Sequence, residues 1–147
     1  MKPKMLLVLI AGLLVGADAK EDAKKEMDKL QGEWVMVSSE RNGEAMPAEE
    51  LKTLKRAIKG DEFTVFRDGQ ALVKGKFAVD PTKTPKTIDI MFSEGENKDK
   101  PLLGIYEIDG DTQKVCYGAP GNKDRPKEFS SKGDKGVTLS VWKREKK

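Results

Sequence analysis

The chain has 147 residues, with 28 lysines and arginines against 25 aspartates and glutamates, one cysteine and no histidine. Opposite charges are interleaved almost everywhere, as in KEDAKKEMDK, which makes a solvated surface rather than a basic stripe and argues against nucleic-acid binding. The missing histidine removes the commonest general base, and no paired Cys/His spacing is present to hold zinc.

Residues 1–19, MKPKMLLVLIAGLLVGADA, carry the three parts of a secretory signal: Lys2 and Lys4, the apolar run Met5 to Val15, and Ala17-Asp18-Ala19 as an A-x-A site. The run is shorter than the about 20 apolar residues that span a bilayer. Cleavage near Ala19 is expected, leaving Lys20 to Lys147 as one exported domain, periplasmic or secreted, with no stable membrane insertion.

The mature chain opens on a predicted helix from Lys20 to Gln31, with Ala23, Met27 and Leu30 at helical spacing and Gly32 placed to end it. From Gly32 the period changes to two, and GEWVMVSSE reads as a strand. A second short helix is expected from Pro47 to Arg56. Pro47 opens it, Glu49 and Glu50 sit in the first turn, Lys52, Lys55 and Arg56 in the last, and Leu51, Leu54 and Ile58 form an apolar edge. From Lys59 the chain is a succession of short runs divided by turn residues: DEFTVF, QALVKGKFAV, KTIDIMF, PLLGIYEI, DTQKVCY and VTLSVWK. That spacing predicts an antiparallel sheet, in a sandwich or a closed barrel.

Parity along these runs selects the inward residues. A three-residue loop at Arg67-Asp68-Gly69 sets Val65 opposite Ala71 and Phe63 opposite Val73, with Gly75, Phe77 and Val79 on the same apolar face. In KTIDIMF the inward set is Ile88, Ile90 and Phe92. YEIDGDTQKV is apolar on both faces, and Tyr106, Ile108, Val115 and Tyr117 are taken as inward. Asp89 and Glu107, the carboxylates centred in strands, read as surface charges, and Asp109-Gly110-Asp111 as a hairpin turn rather than a calcium loop. No nucleophile elbow, P-loop or metal spacing occurs, so neither enzymatic activity nor a cofactor is expected. Cys116, alone between Val115 and Tyr117, is expected to be buried in its strand.

Gly32-Glu33-Trp34 opens the first strand, and Trp142-Lys143-Arg144 ends the last. This is similar to a lipocalin-type barrel, in which a GxW tryptophan closes the narrow end against a basic residue from the final strand. LQGEWVMVSSERNGEAMP, KGDEFTVF, DPTKTPKTIDIMF, LLGIYEIDGDTQKVCY and RPKEFSSKG, in that order, resemble the uncharacterised lipocalin-like domain family abundant in planctomycete bacteria. The resemblance runs from Leu30 to Arg144 and implies an all-β, up-and-down antiparallel barrel of about eight strands, calycin-like, with Gly32, Trp34 and Arg144 as its structural closure. Gln113 departs from the pattern, standing where a strand of this kind carries an apolar residue.

An eight-stranded barrel is either filled by its own side chains or holds one small ligand. The candidate lining is Trp34, Phe63, Val65, Val73 and Phe77 from the first half, and Ile88, Ile90, Phe92, Tyr106, Val115 and Tyr117 from the second. Two functions follow: a carrier or sensor for a small hydrophobic ligand, or a filled barrel acting as an interaction module. The latter would meet a protein partner at the 118–136 loop, which is long for a connection without a role.

Overall fold

A computed structural model describes residues 20–133 and 135–145. The expected leader and the last two residues of the basic tail lie outside the described residues. The described chain begins with helix α1 over 20–30, which buries Glu26 and Leu30. Gly32, at φ 110°, turns it into β1 (Gly32–Arg41). There follow β2 (Glu44–Ala45), α2 (Ala48–Leu51), β3 (Leu54–Lys59), β4 (Glu62–Arg67), β5 (Gln70–Asp80), β6 (Lys86–Phe92), β7 (Leu102–Asp109), β8 (Thr112–Tyr117) and β9 (Thr138–Arg144).

Neighbouring strands are antiparallel and follow chain order from β1 and β3 through β9, which returns to pair with β1 from Trp34↔Arg144 to Arg41↔Thr138. Eight strands thus make a closed, lipocalin-like up-and-down barrel, with β2 a two-residue lip on β1. Among the described residues, closure leaves no long strand edge for another chain to pair with.

Two expectations need correction. The second helix stops at Leu51, and Lys55 and Arg56, expected in its last turn, belong to a strand instead. Favourable end charges contribute only about 0.3 to 1 kcal/mol each to a helix. As β3, the same residues pair with both β1 and β4 and fill a slot without which the barrel would not close. LKRAIK also carries a period of two, with Leu54, Arg56 and Ile58 turned inward.

The β4–β5 hairpin has a two-residue turn, not three, because Arg67 pairs with Gln70 while Asp68 and Gly69 both take positive φ. Parity survives through a β-bulge: Phe66 pairs with Ala71 but Val65 with Val73, so Leu72 is the extra residue. Val65, Val73, Gly75 and Phe77 therefore share the inner face with Phe63, whereas Ala71 is exposed. Phe63 lies opposite Gly75, where a Cβ would stand 2.8 Å from the Phe63 ring and 2.3 Å from the Met91 carbonyl oxygen.

The interior has a packed floor of Leu30, Trp34, Ile58, Tyr106, Val115 and Trp142 at the end covered by α1. On the outside, the connection between β8 and β9 covers Ile105 and Cys116, which are 1 % and 0 % exposed. The Cys116 thiol lies 3.5 Å from the Glu128 carbonyl and 3.7 Å from that of Ser130, and burial raises its pKa. The β7–β8 hairpin is apolar on both faces because both are covered, one by the interior and one by this loop.

Candidate functional site

The closed end is assembled on Trp34. Its indole donates to the Leu30 carbonyl at 2.9 Å, and the Arg144 guanidinium lies 4.3 Å from its ring centroid. Arg144 also donates to the Lys29 carbonyl at 2.6 Å and to the Gln31 carbonyl, and it pairs with Asp111 at 3.2 Å. A helix ends with carbonyls that have no partner within the helix, and a cation there is favoured by its dipole. Trp34 and Arg144 supply both the partners and the charge. At Gly32 a Cβ would lie 3.2 Å from Arg144 Nη1, and φ is unsuited to an L side chain. Each residue of the Gly32-Glu33-Trp34 and Arg144 set except Glu33 thus has a physical role at this end.

A second fastening holds α1 from inside. The Tyr106 hydroxyl donates to Glu26 Oε2 at 2.8 Å, and Lys29 and Lys86 each approach Glu26 Oε1 at 3.2 Å. Burial alone would raise the Glu26 pKa, but these three partners outweigh it and hold the carboxyl below its ordinary value. Burial, then the bond to Glu26, pushes the Tyr106 phenol well above its ordinary value.

Above the floor the barrel is hollow, with a cavity of about 270 Å³. Phe63, Val65, Val73, Phe77, Ile88, Ile90, Phe92 and Tyr117 line it. Trp34, Tyr106 and Val115, expected in the lining, belong to the floor instead, because α1 plugs that end and leaves them in contact with protein. Phe63 makes ring contacts with Phe77 and Phe92, each at 6.4 Å between centroids. Arg67 and Leu72 are lining residues that are also exposed, so the cavity meets solvent beside the β4–β5 hairpin. Pairing of β1 with β3 ends at Val35↔Lys55 while β1 runs on to Arg41, and Met36, Met46 and Leu54 line the cavity near this divergence.

Apart from Tyr117, the polar part of the lining was missed in the sequence. Arg56, which the helical reading placed in a last turn, stacks on Trp142 at 4.2 Å from guanidinium carbon to ring centroid. The residue as a whole is half-buried, yet its Nε and Nη2 are sealed from solvent and have no hydrogen-bond partner. Burial lowers its pKa to about 9, opposed by Tyr117. Tyr117 is shifted upward by burial, with Arg56 acting the other way. Gln113, 1 % exposed and opposite both Ile108 and Trp142, lines the cavity, and its Oε1 also has no partner. The signal for Arg56 was the period of two in LKRAIK; for Gln113 it was the break in an apolar strand face.

The cavity lining holds two arginines, a glutamine, a tyrosine and a tryptophan among apolar side chains, with no carboxylate, serine or cysteine among the described lining residues. Such a surface can enclose, orient and desolvate a guest. No cluster of three or more potential metal-ligating side chains occurs among the described residues. The 118–136 loop lies against the barrel, where Arg125 donates to the carbonyls of Ile88 and Gly104 at 3.1 and 2.8 Å and pairs with Asp89 at 2.7 Å. Covering Ile105 and Cys116 is a structural use for its length. Comparison with protein-family models, with curated proteins and with solved structures finds no significant match. The fold and the cavity therefore carry the functional reading.

Proposed function

We propose that this chain is an exported carrier or sensor of the lipocalin-like kind that encloses one small, largely apolar molecule in its barrel. One observation carries the reading: an apolar cavity of about 270 Å³ with a mouth at Arg67 and Leu72, above a floor fastened at several points. Ligand pockets of about 300 to 1,000 Å³ hold drug-sized molecules, so the guest is smaller than most of these. The pattern of residues 1–19 supports export, and the lining, without an obvious nucleophile or base, supports binding over catalysis. Native mass spectrometry of the protein from its host envelope, before and after exposure to a lipid extract, tests the proposal. A reproducible added mass that is lost in a folded Phe77→Asp variant is the expected result. A ligand-free mass under both conditions would overturn it in favour of an interaction module that uses the 118–136 loop.

A further inference from the structure

We infer that Arg56 is an anion receptor inside the cavity and that the guest is an organic carboxylate, bound with its head on the Nε and Nη2 edge of the guanidinium and its apolar body among Phe63, Phe77 and Phe92. This rests on the carrier reading above and specifies its ligand class.

The two orphaned donors are what select a carboxylate. Nε–H and one Nη2–H lie side by side on one edge of the planar guanidinium, and a pair of parallel N–H groups matches the two oxygens of a carboxylate. Both have no partner and no surface open to a water molecule in the empty barrel, the cavity side included, so a guest docks on this edge by displacing the side chains that cover it. Arg144, stacked on the other tryptophan, shows the contrast: its nitrogens reach Gln31, Lys29 and Asp111. Buried charges in proteins are ordinarily paired, because an ion taken out of water without partners is costly. Stacking on Trp142 meets the face of the guanidinium and leaves the N–H edge unsatisfied. The missing partner is not supplied by the described lining, which contains no acidic residue. A cation would meet two arginines, and a neutral hydrocarbon would leave the donors orphaned. A carboxylate on a short apolar body satisfies both the edge and the phenylalanines. Gln113 Oε1 leaves one further acceptor in the lining for a hydroxyl or N–H on the guest.

The test is a titration of the purified exported protein with straight-chain carboxylates from butanoate to decanoate and with the primary alcohol of each chain length, followed by calorimetry and tryptophan fluorescence. At least one carboxylate is expected to bind at least about tenfold tighter than its alcohol, since a hydrogen-bonded charge contact contributes that much. The preference should vanish in Arg56→Met and be reduced in Arg56→Lys, which keeps the charge and loses the paired edge. Near-ultraviolet circular dichroism establishes that each variant is folded, and if Arg56→Met is not, Arg56→Lys alone decides. Equal binding of acid and alcohol would overturn the inference and leave the carrier reading standing. Binding of neither series would count against both.

Discussion

Arg144 and Arg56 each lie on an indole, at 4.3 and 4.2 Å, but only the first has its guanidinium edges occupied. In the empty barrel, burial of Arg56 without partners opposes folding, and the stack on Trp142 offsets part of that. Arg56→Met is therefore expected to raise the stability of the ligand-free protein by about 1 to 2 kcal/mol in urea unfolding at pH 7. A loss of stability would mean that the stack outweighs the burial. The difference should also depend on pH. The folded Arg56 has a pKa of about 9, whereas the unfolded chain holds that proton to the ordinary, higher arginine value. Between the two values the unfolded state binds more protons, so the wild type gains stability as pH rises and the gap to Arg56→Met narrows. Tyr117 shares the cavity, and Arg56 lowers its pKa against the upward push of burial, so the comparison reads the two groups together.

At the scale of elements, α1 is fastened by a carboxylate whose folded pKa lies below its ordinary value. That contribution is complete at neutral pH and is lost as pH falls through the folded pKa, in the acid range below the ordinary glutamate value. Glu26→Gln should cost about 1.5 to 3 kcal/mol at pH 7 and distinctly less at pH 3, measured by urea midpoints; an equal cost at both would show that the charge is irrelevant. Strand parity makes a second test. Phe77→Ala should cost about 3 kcal/mol. Ala78→Lys, one residue along, exposed and opposite Asp89, should stay within about 0.5 kcal/mol. Parity of this kind was legible in the sequence for β4, β5 and β6, although the hairpin joining β4 to β5 was not. Its two-residue turn and its bulge each shift the alternation by one, and together they leave the inward set unchanged except at Ala71, which is exposed. β3 was hidden for a different reason: Leu54 and Ile58 share one side of a strand and one edge of a helix, so local spacing does not discriminate. Pairing partners on both sides decide it, and with them the inward placement of Arg56.

In the whole molecule, the long loop between β8 and β9 acts as an outer cover, pinned by Arg125 over the β6–β7 pair. Arg125→Ala should loosen it and expose Cys116, raising the rate of thiol labelling by about tenfold or more while the barrel stays folded. Unchanged labelling would mean that the backbone of the loop, rather than Arg125, holds the cover. The amino-acid sequence by itself determined what depends on neighbours along the chain: helix α1, the β runs other than β3 and most of their inner faces, the places of the turns, and the Trp34 and Arg144 ends that resemble a lipocalin closure. Tertiary structure alone decided how the interior is divided. Trp34, Tyr106 and Val115 belong to a floor because α1 folds over that end, and the space above stays open because the side chains meeting there from the eight barrel strands do not fill it. Arg56 is an orphan for the same reason. Whether a charge has a partner depends on residues far away in sequence, and no local pattern records their absence.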